Sequence, residues 1–341
     1  MTEHCADLSF SHLLNLSSRL GLFEHALLTT PRHEHGYCLD DVARGLVVTA
    51  RQPSPSSTVT SLTRTYLRFV LDAQDTEGRF HNRRSTDGWW LDEASVDDHW
   101  GRALWGLGTL AALSAEGTVR DAALHAAAIG FQVRSPHNRA TSYAALGAFE
   151  VLRARPGDRN ALALLRDART LLGRPGSDPA WPWPEPRLTY GNAVIPEALL
   201  VVGAGLEDEV AMHDGLRLLD WLIEQETRGE HLSVTPVGGW VTGEPRPGFD
   251  QQPIEVAALA EACWRAYELT GDARWLPPLE RCVAWFAGAN DIGVVLYDPT
   301  TGGGRDGLHP DRVNENQGAE STLAALSTLQ LGLRTAALAS R

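Results

Sequence analysis

The sequence predicts an all-α fold, an (α/α)6 barrel in which six helical hairpins close into a toroid with long loops at one end. Three observations predict it. Apolar residues recur at helical spacing along nearly the whole chain, and alternating strand-like runs are very few. A polar cluster that runs into a small-residue helix recurs six times, with a period of roughly 40 to 65 residues. Between the copies lie amphipathic segments whose apolar stripes fall at i, i+3 and i+4.

The six copies are HGYCLDDVARGLVVTA from His35, VDDHWGRALWGLGTLAAL from Val96, SPHNRATSYAALGAFEVL from Ser135, TYGNAVIPEALLVVGAG from Thr189, FDQQPIEVAALAEACWRAYEL from Phe249 and NENQGAESTLAALSTLQL from Asn314. Past their polar starts they are apolar on nearly all sides, as buried helices are, so they are expected to form the inner ring. SLTRTYLRFVLDAQ, VRDAALHAAAIGFQV, NALALLRDARTLL, HDGLRLLDWLIEQE and LPPLERCVAWFAG are the expected outer helices, with residues 8–20 supplying the sixth. An open solenoid is the alternative, but every polar start sits at the same end of its helix and the loops there are long. A chain of 341 residues fits two domains or one large barrel. No segment reads as an interdomain linker, so one domain spanning 1–341 is expected.

Composition narrows the function classes. The hydrophobic fraction of 43% and charged fraction of 21% belong to a globular chain rather than a disordered one. All 30 basic residues are Arg, and against 43 acids they leave a net charge of −13, which disfavours nucleic acid and anionic membranes as partners. The absence of lysine excludes Schiff-base and pyridoxal-lysine chemistry and any P-loop. The opening MTEHCADLSFSHLLNLSSRL does not read as a secretory signal, and no apolar run is long enough for a membrane span, so a cytoplasmic location is expected. Cys5, Cys38, Cys263 and Cys282 are far apart, without a CxxC, and suggest neither a disulfide framework nor a zinc knuckle.

The chemistry concentrates where each inner helix begins. Aligning the six starts gives one recurring slot held by Arg44, Arg102, Tyr143, Glu197, Glu255 and Glu320. Four residues earlier, on the same helix face, stand Asp40, Asp98, Arg139, Ala193, Gln251 and Asn316. In a toroid both rings are expected to face the central cavity. Asp40/Arg44 and Asp98/Arg102 also fit a structural i,i+4 ion pair or an N-cap. Glu197, Glu255 and Glu320 have no basic residue three or four positions away, so burial would leave them unpaired, a state more often found at functional sites.

Carboxylates facing one another across a cavity are what glycosidic-bond cleavage requires, one giving a proton to the leaving oxygen while the other activates water or attacks. Glu255, Glu320, Asp98 and Asp41 are the expected catalytic acids. Trp faces stack on sugar rings, and amides, His and Arg pair with hydroxyls. On that basis His35, Asp40, Arg44, Trp89, Trp90, Asp97, His99, Arg102, Tyr143, Tyr190, Asn192, Glu197, Gln251, Gln252, His309, Asn316 and Gln317 are expected around the substrate. The long loops hold Trp89, Trp90, Trp181, Trp183 and Trp240, which would contribute to such stacking or to the core.

The starts HGYCLDD, DDHWGRALW, NAVIPEALL, QQPIEVAALAEA and NENQGAESTLAAL, with the loop EGRFHNRRSTDGWW, resemble the (α/α)6-barrel carbohydrate-active proteins, the six-hairpin glycosidase group, over about residues 33 to 332. The resemblance implies an active cavity at one end of the toroid, carboxylate catalysts on inner-helix ends or adjoining loops, inversion as the stereochemical outcome, and no cofactor or metal. N-acylglucosamine epimerases share such a toroid and use histidine acid/base pairs, for which His35, His99, His137 and His309 are available, but their Trp-Trp-Pro-Gln-Ala-Glu-like segment is absent. Triterpene cyclases share helical toroids, and Gln74–Gly78–Phe80 has the look of their turn repeats, but the Asp-x-Asp-Asp acid is missing. For zinc, only Cys38 with His35 is suggestive. The expected activity is therefore hydrolysis of a small oligosaccharide or glycoconjugate. A histidine-based sugar epimerase or isomerase and a non-catalytic sugar-binding toroid are the alternatives. Arg44, Arg102 and Arg139 leave open a phosphate-using variant, and oligomeric state is not legible in the sequence.

Overall fold

The computed structural model describes residues 8–339, so Cys5 lies outside the described residues. In chain order the helices are α1 (Ser11–Asn15), α2 (Leu39–Ala50), α3 (Ser57–Ala73), α4 (Asp98–Leu113), α5 (Gly117–Gly130) and α6 (Asn138–Ala154). They continue as α7 (Arg159–Leu172), α8 (Val194–Leu206), α9 (Glu209–Gln225), α10 (Pro253–Thr270), α11 (Leu276–Phe286) and α12 (Ala319–Ala339). The even-numbered helices grow from the six recurring small-residue segments. Each packs on the next, α2 on α4 and so on to α12, and α12 returns to α2. That last contact closes the ring and makes the architecture an (α/α)6 toroid rather than an open solenoid.

Small residues set how closely the inner helices approach. A Cβ at Gly101 would stand 2.1 Å from the Ala140 carbonyl oxygen, one at Gly108 2.2 Å from that of Gly147, and one at Gly147 2.2 Å from that of Leu104. Backbone thus touches backbone along α4 and α6, and only glycine fits there. The outer helices bury one stripe each, as Val59, Leu62, Tyr66, Phe69 and Val70 do on α3. Three of them carry side-chain caps, with Ser56 accepting from Val59 N, and Asp158 and Asp208 each accepting from two amides.

The two ends of the toroid differ. Inner helices pass to the following outer ones through two to six residues, whereas outer helices return to the next inner ones through segments of 7 to 32 residues, among them 74–97, 173–193, 226–252 and 287–318. All the long loops therefore gather over the N-terminal ends of the inner helices. Two-residue antiparallel strand pairs fasten them, such as Tyr37–Cys38 with Arg83–Arg84 and Arg187–Leu188 with Trp240–Val241. Among the described residues no helix is long and apolar enough to cross a membrane.

Two expectations need correction. Residues 8–20 supply only the five-residue α1 rather than a full outer helix. Ser17 turns its hydroxyl onto the Leu13 carbonyl and Tyr66, and Ser18 turns its own onto Tyr37, bonds that compete with helix propagation. The loop tryptophans Trp181, Trp183 and Trp240 do not present open faces to a sugar. Trp181 packs edge-on against Trp221 and Trp240, and Trp183 stacks on Trp221, so these rings form the core under the loops.

The close approach of α4 and α6 makes a test. Helix propensity alone would favour Gly147→Ala by about 1 kcal/mol, but overpacking against a backbone carbonyl costs roughly 1–3 kcal/mol or more. Urea unfolding is expected to show net destabilisation for Gly147→Ala and none for Gly117→Ala, whose Cβ would meet only the tip of Arg120.

Candidate active site

The first turns of the inner helices explain why acids collect at this end. None of α2, α4, α6, α8 and α10 has a side-chain N-cap hydrogen bond, so their free amides and positive dipole ends favour carboxylates nearby. Asp40 and Asp41, Asp98, Glu197, Glu255 and Glu320 occupy those turns. Over them the long loops leave a mouth of about 1040 Å³, lined by Asp40, Asp97, Asp98, His99, Arg102, Arg139, Tyr190, Gln252 and Glu320 among others. A neighbouring recess of about 460 Å³ shares Asp40, Arg83, Arg102, Gln252 and Glu320 with the mouth and adds Glu24, Cys38, Asp41, Arg44 and Asp306. Below Glu320 a small cavity of about 40 Å³ lies on the axis of the toroid. Glu320 lines all three spaces, and its side chain is 40% exposed.

Two arginines organise the carboxylates. Arg102 donates to Asp40 at 2.5 Å, lies 3.5 Å from Asp98, and sits over the ring of Tyr143. Arg44 donates to Asp41 at 2.8 Å and to Glu320 at 2.9 Å. The expected Asp40/Arg44 ion pair is thus replaced: Arg44 takes Asp41 on its own helix and Glu320 on α12, and Asp40 takes Arg102 of α4, while Asp98/Arg102 keeps its i,i+4 contact. Burial alone would raise Asp40, but the guanidinium groups of Arg102 and Arg44 outweigh it and hold the carboxyl down to about 2. Burial dominates at Asp41 and raises it to about 7 despite Arg44, with Glu320 adding to the rise. Asp306 is raised to about 6 by burial, against hydrogen bonds from the Gly318 amide and Ser321. Tyr190 donates its hydroxyl to Asp98 at 2.7 Å, and Arg139 is clamped by Glu185 at 2.8 and 2.9 Å. Arg44, Arg102 and Arg139 are all engaged by carboxylates, so none stands as a free cation for phosphate.

Glu24, Cys38 and Asp41 bring ligand atoms within 4.8 Å of one another. Glu24 is already bonded to Arg83 and Asp41 to Arg44, and burial pushes the Cys38 thiol up. The trio is a neutralised cluster rather than a set of ligands with charge to spare.

Of the four expected catalytic acids, the mouth and recess bring together Glu320, Asp98 and Asp41, the last almost wholly buried behind Arg44. Glu255 lines none of these spaces. Its carboxylate accepts from the amides of Gly191 and Asn192 and from the Asn192 side chain, and burial raises it to about 8, so it holds the 189–192 turn in place. Asn192 is fully buried in the same contact and bonds Arg139. Gln251 is fully buried between Asp291, Gly248 and Trp285. His309 pairs with Asp250 at 2.7 Å, Asn316 accepts from the Leu28 amide, and Gln317 accepts from Thr301. His35 is exposed beside Glu34, Trp89 is 75% exposed, and Trp90 stacks on His81 with the Arg84 guanidinium also over its ring. None of these lines the mouth, recess or axial cavity. Asp40, Arg44, Asp97, His99, Arg102, Tyr190 and Gln252 do face the mouth or recess, and Tyr143 and Glu197 face the axial cavity. Sequence reasoning missed Asp306 and Glu24, which sit in loops with no periodic spacing to betray them. The one available signal for Asp306 was its place in the long GGGRDG loop before the sixth copy.

The Arg102–Asp40 pair gives a pH prediction. A folded-state value near 2 lies below the ordinary carboxyl value of roughly 4. Asp40 therefore adds stability that is complete above about pH 4 and fades as pH falls towards 2. Asp40→Asn is expected to cost about 3 kcal/mol at pH 7, because buried Arg102 loses its shorter carboxylate contact and keeps only Asp98 at 3.5 Å. It should also flatten the acid limb of stability between pH 4 and 2 in urea unfolding.

No family model and no curated protein matches the sequence. Solved structures do match in fold. A sugar epimerase from a ruminal bacterium is 11% identical, with 95% of each chain covered and a TM-score of 0.69. A D-mannose isomerase is 11% identical, again with 95% of each chain covered and a TM-score of 0.69. The cellulase Cel9M of C. cellulolyticum is 10% identical, covering 92% of this chain and 87% of its own, with a TM-score of 0.62. These are (α/α)6-barrel enzymes, and the chain shares their fold.

Proposed function

We propose that this protein is a carbohydrate-active enzyme that hydrolyses a glycosidic bond in a small saccharide held at the mouth of the toroid. Glu320 is the general base and Asp306 the proton donor. The observation that carries the reading is the unlike surroundings of two carboxyls in one recess. Glu320 accepts a hydrogen bond from the Arg44 guanidinium and is part-exposed at the mouth, while Asp306 is buried and its carboxyl is raised to about 6. A buried carboxyl with a raised value suits the proton donor, and an accessible one held on a cation suits the base. Asp306 gives its proton to the leaving glycosidic oxygen as Glu320 takes one from the water that attacks the anomeric carbon, so the configuration inverts. Asp98, Asp40, Tyr190 and Arg102 bind sugar hydroxyls, and Asp41 fixes Arg44 from behind. A mouth of this volume suits a ligand of a few sugar rings at most.

A second reading, a sugar epimerase or isomerase, draws support from the similarity to the ruminal epimerase and the mannose isomerase at a higher TM-score than the cellulase. It would need a histidine pair at the mouth. His99 is the one histidine within the described inner helices, and its Nε2 is taken by the Phe80 carbonyl at 2.8 Å; exposed His137 beside Asp97 is the other at the mouth. The carboxylate set is the better equipped of the two.

A product assay on α- and β-linked oligosaccharides separates them. Hydrolysis is expected to release a smaller sugar, and Glu320→Gln to lower kcat by about 10²–10⁴ with little change in KM. Asp306→Asn should remove the loss of activity above about pH 6 and be least harmful with a good leaving group. Isomer exchange of a free sugar without release would establish the second reading instead.

A further inference from the structure

The proposed chemistry leaves several buried carboxyls unused, and among the described residues Glu197 is the one of these that accepts no hydrogen bond. Glu197, in the first turn of α8, is 2% exposed and accepts no hydrogen bond among the described residues. The Nε of Arg265 is 3.6 Å away, and that nitrogen has no hydrogen-bond partner either. The two terminal nitrogens of Arg265 are committed to Glu150 and Glu268. Burial raises the Glu197 carboxyl against the pull of Arg265, which favours the protonated form that can donate. Its side chain lines the axial cavity, whose upper rim is Arg44 and Glu320 and whose walls include Val47, Val194, Ile254 and Leu323.

Glu197 has an ion-pair neighbour in Arg265 but no hydrogen bond, and a buried polar group in that state facing a cavity is normally satisfied by water or by a ligand. The axial cavity, about 40 Å³, has room for two or three heavy atoms at roughly 10–15 Å³ each. That excludes a sugar ring and suits one substituent with an apolar stem and a polar tip. We infer that the axial cavity is a specificity subsite for the exocyclic hydroxymethyl group of a hexose, the methylene lying against the aliphatic walls and the hydroxyl meeting Glu197. The inference rests on the proposed reading that a sugar occupies the mouth. A 6-deoxyhexose would leave Glu197 unmet, and a pentose would leave the cavity to water.

The test uses the full chain with methyl-labelled Val and Leu, titrated with glucose, 6-deoxyglucose and xylose, and with galactose and its 6-deoxy and pentose counterparts. At least one hexose is expected to bind about tenfold or more tightly than its matched analogues and to shift the methyl signals of Val47, Val194 and Leu323. Glu197→Leu should reverse the order of hexose and 6-deoxyhexose, whereas Glu197→Gln, equal in size and still a donor, should keep it. Binding at the mouth with less than threefold discrimination at C6, or with silent axial methyls, overturns the subsite and leaves the hydrolase reading standing. Absence of binding by every sugar overturns both. Equal loss of turnover on all substrates in Glu197→Gln, with binding unchanged, would make Glu197 a proton-transfer group and overturn the subsite.

Discussion

Two guanidinium groups hold the working end of the toroid together. Arg102 stands between Asp40 and Asp98, and Arg44 between Asp41 and Glu320, so three consecutive members of the ring, α4, α2 and α12, are tied through charge. Uncapped helix starts attract carboxylates, but so many like charges in one space repel one another and are costly to bury. The arginines resolve this conflict, and they also decide the chemistry. Where the guanidinium groups outweigh burial the carboxyl is held low, as at Asp40, and where burial outweighs the guanidinium it is raised, as at Asp41.

The far end of the axis repeats the device for a different purpose. Arg51 bonds Glu261, which also accepts from Ser327, and Arg265 bonds Glu150 and Glu268. These pairs close the toroid where the inner helices end. Between the two charged ends the axis is lined by Val47, Val48, Leu146, Ile254 and Leu323, with little space left. Apolar packing gives the ring its rigidity, and charge is confined to the ends, where the loops or the ion pairs can satisfy it.

Much of this was legible in the sequence. The six inner helices begin within a few residues of the recurring polar clusters, and five of the outer helices follow the amphipathic stripes, because periodicity is a local property of the chain. The recurring slot also pointed to Glu320, Arg44 and Arg102, all of which reach the cavity system. It misled at Glu255, and the ring four residues earlier misled at Gln251, which lies just before α10. There the 226–252 loop and the 189–192 turn fold over the helix start and consume the side chains in hydrogen bonds. Of the two readings open for Trp181, Trp183 and Trp240, sugar stacking or core, the structure takes the core, since large rings in a long loop give that loop a core of its own.

The sequence by itself determined the helical repeat, the number of hairpins, and the presence of a carboxyl or guanidinium at most inner-helix starts. Tertiary structure alone decided which of those groups face open space and which are neutralised. The partner of Arg44 is Glu320, 276 positions along the chain, and Arg102 takes Asp40 from a neighbouring helix as well as Asp98 from its own. Ion pairing depends on distance and dielectric, which closure of the ring sets, and no spacing within a single helix encodes either.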